Sequence, residues 1–424
     1  MQTIEGFEFF PLEFDRRGRL TSPAERDRLT TRAAAATDVI YLAHGFRNDA
    51  SEAHTLYAKF LQTFRAHLQS AAFAPLAARR YVVVGIFWPS KPFREAYGDD
   101  EAGTRRLEHP DDVQQRLAAR LEQMKRDDAT PTQRAKLDKA IALLPKLDGS
   151  LKAQDEFVTL VMSLVATKGD DDGDGARAVR TRKGSETLAR LSDAPPVAAH
   201  GSRAIGDVVG SIAGGVGRFL NLTTWYVMKE RSGTVGASGV ARAVRELAAA
   251  HPHLRTHLVG HSLGGRLMAG CAKALADDPP FHPDSLYLLE AAFSHYGFSA
   301  DNGKGTRGFF RAVVESGVVK GPFLSTFSAQ DTVVGKAYSI MSRLALDSSR
   351  EIGDEHDEFG GIGRNGPLRT TEVHTQTMRH AGSPYDFKPR LINNLDGSNG
   401  FVKDHGDVTN PEITYAFASA LMLT

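Results

Sequence analysis

The sequence predicts an α/β fold, a mostly parallel sheet flanked by helices and interrupted by a large, mainly helical insertion. Three observations predict it. Short, wholly apolar runs alternate with helix-period segments before about residue 90 and again after about residue 240. Between them the alternation stops for about 140 residues of charged, helical character. Finally, the apolar run His257–Gly260 leads through Gly260-His261-Ser262-Leu263-Gly264 straight into a second helix-period segment, a strand–turn–helix unit of the kind parallel sheets are built from.

Composition fits that class and excludes others. The 424 residues are 41% hydrophobic and 24% charged, with a formal net charge of +1. At roughly 150 residues per domain, this length allows two or three domains, or one large domain with an insertion. A near-neutral balance argues against a general nucleic-acid binder, which carries a basic excess. No uncharged apolar run reaches the length of a membrane-spanning helix. Met1 to Phe14 lacks the basic start, apolar core and small-residue cleavage site of a secretory signal. One cysteine, Cys271, excludes a disulfide framework and any cysteine-based metal cluster. A soluble, cytoplasmic protein is the expectation, with signal-independent export left open.

The elements follow in order. Residues 3–14, rich in Phe, read as one or two opening strands. Asp38 to Leu42 is a buried strand that delivers Ala43-His44-Gly45 into a tight loop. Ser51 to Leu68 has helical spacing, with Ala53, Leu56, Tyr57, Phe60, Leu61 and Phe64 on one face. Tyr81 to Phe87 is a second buried strand, closed by Trp88-Pro89. The expected division is therefore residues 1–89 as the first part of the sheet domain, 90–235 as a helical insertion or cap, and 236–424 as the second part. In the last part, helix Val240–Ala250, strand Thr256–Val259, a turn at Gly260–Gly264 and helix Arg266–Leu275 are expected. Strands at Ser285–Glu290, Pro322–Phe327 and Arg390–Asn394 and a helix at Pro411–Leu423 complete a sheet of about eight strands.

Chemistry concentrates at Gly260-His261-Ser262-Leu263-Gly264. The pattern Gly-x-Ser-x-Gly between a strand and a helix lets the backbone turn sharply and lift the serine hydroxyl out of the sheet. The plainer reading is a glycine-rich turn with a capping serine. A serine hydroxyl is a poor nucleophile at neutral pH; it needs a base, and the base needs an orienting acid. In such an elbow the partners follow in the order serine, acid, histidine. Downstream lie His282, His295, His356, His374, His380 and His405. His405 stands out, in Lys403-Asp404-His405-Gly406-Asp407-Val408 between the last strand and the last helix. For the acid, Asp331 ends a strand-like run; its plainer role is a helix N-cap. Glu290, at the end of the preceding strand, is the alternative acid, or else a buried structural carboxylate paired to an arginine. Asp396, Asp404 and Asp407 are weaker candidates. His44-Gly45-Phe46 occupies the turn where a backbone N–H can face a developing oxyanion, with His44 holding the loop.

Together, His44-Gly45-Phe46, Gly260-His261-Ser262-Leu263-Gly264-Gly265, the late aspartate and Asp404-His405-Gly406-Asp407-Val408 resemble the α/β-hydrolase superfamily, on its lipase and esterase side. The resemblance covers about residues 35–90 and 240–424 and not the insertion. It implies Ser262 as nucleophile, His405 as base, Asp331 as acid, and backbone oxyanion donors at Phe46 and Leu263. It implies no cofactor and no metal. Hydrolysis of a carboxylic ester, small-molecule or lipid-like, through an acyl-enzyme is the expected activity. Amide cleavage, acyl transfer and a non-catalytic binding protein of the same fold remain alternatives. The insertion and the stretch Phe359-Gly360-Gly361-Ile362-Gly363 depart from simple esterases.

Three other signals carry less. Asp170 to Gly175 matches the first half of a calcium loop, but Thr181 stands where a bidentate Glu is needed. Gly303-Lys304-Gly305-Thr306-Arg307-Gly308 matches a dinucleotide fingerprint without a preceding buried strand. Ile205 to Met228 reads either as a lid able to contact a lipid surface transiently or as a small-residue helix packed on the sheet; the packed helix is the preferred reading.

Overall fold

The computed structural model describes residues 2–91, 110–127, 129–165, 175–192, 212–277, 280–335 and 359–424. Its centre is a nine-stranded sheet in the order β1-β2-β4-β3-β5-β6-β7-β9-β8. The strands are β1 (Thr3–Ile4), β2 (Phe7–Glu13), β3 (Asp38–Ala43), β4 (Tyr81–Phe87), β5 (Arg255–His261), β6 (Ser285–Leu289), β7 (Phe323–Phe327), β8 (Val373–Thr377) and β9 (Ile392–Asp396). Only β1 runs antiparallel to its neighbour; all other pairs are parallel. The central strands β3 and β6 are buried along their whole length, as a sheet covered on both faces requires.

Period-two side-chain alternation divides the core in two. Phe9, Ile40, Leu42, Val83, Val259 and Tyr287 face one side. There they meet helices Ala50–Leu68 and Pro411–Leu421, whose Phe64 and Phe417 rings lie 5.2 Å apart. Asp49 and Glu52 close a capping box on the first of these helices, and Asn410 caps the second. Phe10, Leu12, Val39, Tyr41, Val84 and Leu258 face the other side, against helices Ala241–Ala250 and Leu263–Leu275.

The insertion is helical where described, with helices Pro110–Asp127, Pro131–Leu143, Leu151–Met162, Gly184–Ser192 and Ile212–Thr234. Its apolar residues, from Val113 to Tyr226, belong to the same hydrophobic cluster as that second face. Arg266, on the helix after the Gly-x-Ser-x-Gly turn, is fully buried and donates to Lys229 O at 2.6 Å. Arg231 donates to Pro89 O at 2.6 Å. Ile212 to Met228 is thus a packed helix, not an exposed lid; Ile205–Ser211 lies outside the described residues, as does all of the Asp170–Gly175 motif but its last glycine. Among the described residues, no helix is long and apolar enough to cross a membrane.

Three of the differences from expectation have a clear physical reason. Strand β8 is a half-exposed edge with the polar sequence VHTQT, so no apolar run announces it. Helix Pro23–Ala33 is strongly charged and buries only Leu29 and Ala33. The helix after Ser262 starts at Leu263, not Arg266, because Gly264 and Gly265 are already part of its packed first turn.

At the N-terminal ends of the strands, Asp38 is fully buried beneath a polar network. Its Oδ1 lies 3.0 Å from His257 Nε2 and 3.0 Å from Arg79 Nη1, and His257 Nδ1 is 2.9 Å from Ser285 Oγ. Burial pushes the Asp38 carboxyl up, but the bonds from His257 and Thr37 and the charge of Arg79 hold it below its ordinary value. A lowered carboxylate stabilises the fold above its ordinary titration range and loses that contribution as pH falls through its folded value. Breaking a buried pair of this kind costs about 3–5 kcal/mol. Asp38→Asn is therefore expected to lower the urea midpoint at pH 7 strongly, and to do so less at pH 3; equal losses at both would contradict this reading.

Candidate active site

The loops at the C-terminal ends of β3, β5, β6, β7 and β9 gather at one edge, where parallel α/β sheets place their sites. Strand β5 delivers Ser262 with φ 57° and ψ −124°, a region costly for any residue but glycine. The turn is held because Ser262 N–H donates to Leu289 O (3.0 Å) and Ala292 N–H donates to Ser262 O (3.0 Å). Both flanking glycines are required by contact. A Cβ on Gly260 would lie 2.2 Å from Gly264 O, and one on Gly264 would lie 2.3 Å from Ala43 O.

The structure brings Ser262, His405 and Asp331 into one hydrogen-bonded chain. Ser262 Oγ is 2.8 Å from His405 Nε2, and His405 Nδ1 is 2.8 Å from Asp331 Oδ2. Asp331 is fully buried, Ser262 nearly so, and the His405 side chain is 13% exposed, enough to face a ligand. Since the carboxylate can only accept, His405 carries its proton on Nδ1, leaving the Nε2 lone pair for the serine hydroxyl. The two readings of Asp331 turn out to be compatible. Oδ2 holds His405, while Oδ1 accepts from Val333 N–H (3.0 Å) and Val334 N–H (2.9 Å) at the start of a helix. Arg364, from the glycine-rich 359–363 segment's flank, fixes this loop by donating to Ala329 O and Asp331 O.

The other candidates fall elsewhere. Asp396, Asp404 and Asp407 each accept backbone N–H groups of their own loop. His282 and His295 bond to Val318 O and Asn365, His380 lies 3.6 Å from Glu412, His374 sits on edge strand β8, and His356 is outside the described residues. Asp38, His257 and Ser285 repeat the three residue types at the opposite sheet end, but all are buried and tied into structure.

Glu290 takes neither of the two roles that its place at the end of a strand suggests. It does not pair with an arginine among the described residues, and it does not reach His405. It is fully buried at φ 42°, with the Thr326 hydroxyl beside it and no well-formed hydrogen bond to either carboxyl oxygen. Burial, and then the charge of Asp331, push its carboxyl well above the ordinary value of 4.5. Above about pH 4.5 the unfolded chain releases this proton while the folded chain keeps it, so stability falls as pH rises, by up to about 1.4 kcal/mol per unit. Glu290→Gln removes this dependence. Its melting temperature should gain on the wild type between pH 5 and pH 8; an unchanged difference across that range would contradict the assignment.

The turn after β3 passes directly over Ser262. A Cβ on Gly45 would lie 2.7 Å from Ser262 Cβ and 3.3 Å from Oγ. His44 holds this turn rather than facing it. Its N–H donates to Tyr57 Oη (3.0 Å), its carbonyl accepts from Trp88 Nε1 (3.0 Å), and its ring stacks on Trp88 at 5.7 Å. Burial lowers its pKa to about 4, so it stays neutral and donates from Nδ1 to Gly45 O (3.0 Å). Ser90 completes the clamp, accepting from Arg47 N–H (3.2 Å) and donating to Asn48 O (2.9 Å). Tyr57, Trp88 and Ser90 carry no motif signal for this work; only the aromatic at the end of β4 hints at it. Phe46 N–H and Leu263 N–H have no acceptor within the described residues. Such an arrangement can move a proton from serine to histidine, with two backbone N–H groups left without an acceptor on the adjoining turns. Among the described residues, no group of three or more His, Cys, Asp or Glu side chains could hold a metal ion. Compared with family models, curated proteins and solved structures, the chain matches none.

Proposed function

We propose that this chain is a serine hydrolase of the α/β-hydrolase superfamily, on its lipase and esterase side, cleaving carboxylic esters through an acyl-enzyme. The observation that carries this reading is the unbroken chain Asp331–His405–Ser262, both links 2.8 Å long, ending on a serine in a strained turn. Ser262 Oγ attacks the acyl carbon as His405 Nε2 takes its proton. Asp331 stabilises the imidazolium, and the N–H groups of Phe46 and Leu263 receive the oxyanion. Collapse of the tetrahedral intermediate passes the proton from His405 to the leaving alcohol. Water, deprotonated by His405, then attacks the acyl-enzyme and releases the acid, returning the proton to Ser262.

Residues 90–235 act in this reading as a cap governing access, since every group in the scheme lies outside them. Burst kinetics test the scheme. With an activated nitrophenyl ester, a rapid release of alcohol equal to one equivalent per chain is expected, followed by slower turnover. No release above buffer across short, medium and long acyl chains would favour a binding protein that keeps the fold without chemistry.

A further inference from the structure

The geometry points to His261 as a positioning residue that ties the His405 loop to the Ser262 turn, so that nucleophile and base are registered by one dipeptide. This rests on the proposed hydrolase reading, in which His405 is the base.

His405 lies on the long connection between β9 and helix Pro411–Leu421. Much of that connection is folded on itself: Asp407 accepts from Lys403 N–H (3.2 Å), Asp404 from Gly406 N–H (2.8 Å), and Asn410 donates to Phe401 O (2.7 Å). None of these bonds sets its distance from β5. Farther from His405, Ser328 Oγ donates to Val402 O (2.8 Å) and Thr63 Oγ1 donates to Thr409 O (3.0 Å). At His405 itself the main chain is fastened by His261, whose Nε2 lies 2.7 Å from His405 O. The two imidazole rings also pack at 4.8 Å between centroids. A carbonyl only accepts, so His261 must carry its proton on Nε2.

Burial, then the neighbouring charge of His405, lowers the His261 pKa to about 3. The ring is thus neutral through the working range. That matters when His405 becomes an imidazolium: a cationic neighbour packed against it would oppose the proton transfer, whereas a neutral ring does not. His261 directly precedes Ser262, so a shift of one is transmitted to the other. Misplacement of reacting groups by about 1 Å costs roughly 10²-fold in rate.

The test uses the full chain with His261→Phe, which keeps a ring against His405 but has no donor, and His261→Gln, which keeps a donor of similar reach. His261→Phe is expected to lower kcat for a nitrophenyl ester by about 10–100-fold with KM nearly unchanged. His261→Gln should recover most of that loss and leave the acid limb of the pH–rate profile in place. The downfield proton resonance of His405 Nδ1–H, bonded to Asp331, should shift and broaden in His261→Phe and return in His261→Gln. Wild-type kcat in a folded His261→Phe, or an equal loss in both variants, overturns the proposal. If the wild type neither turns over esters nor labels with a fluorophosphonate, it is the hydrolase reading that fails. The resonance then decides the tie alone: an unchanged signal in His261→Phe refutes it.

Discussion

Ser262→Ala should lose about 10⁶-fold in kcat, the scale seen when the nucleophile of such a constellation is removed. The fold should survive the change. The turn is held by backbone bonds to Leu289 and Ala292, not by the hydroxyl, and the glycine contacts on either side are untouched. The effects are also expected to be non-additive. Once Ser262 is gone, removing His405 as well should cost almost nothing further, because the pair acts as a unit. A double variant markedly slower than Ser262→Ala would mean that His405 works through some other group.

The second large effect is expected at Asp331. An asparagine there can keep Oδ1 on the Val333 and Val334 N–H groups, so the loop should hold. Its amide N–H would face His405 Nδ1, and the imidazole must then carry its proton on Nε2, pointing at Ser262. A base in that tautomer cannot take the serine proton, a loss of roughly 10⁴-fold in kcat. Glu290→Gln should change kcat far less, since Glu290 makes no bond to His405. Steady-state kinetics of the two variants, with circular dichroism to confirm folding, check the order. If Glu290→Gln proves the slower enzyme, the acid has been misassigned.

What could be read in advance follows the range of the interactions. Strands β3, β4 and β6 were legible because burial on both faces leaves a continuous apolar run. β8 was not, because an exposed edge needs no such run. At the site, Ser262 is marked by local turn chemistry, while His405 and Asp331 are marked by position relative to late strands. The clamp on the turn after β3 is different in kind. Trp88 and Ser90 meet His44 and Asn48 only because β3 and β4 are adjacent, and nothing within either short segment records that pairing. His261 is hidden for the same reason: its partner is a carbonyl 144 residues away. Glu290 misleads because a carboxylate in an apolar run suggests a cation nearby, whereas burial is met here by a raised pKa.

The most direct measurement is mass spectrometry of the wild-type chain after brief exposure to a fluorophosphonate, with peptide mapping of the adduct. One adduct per chain is expected, on Ser262, formed quickly at pH 8. An adduct on any other serine, or none while the chain remains folded, would contradict it.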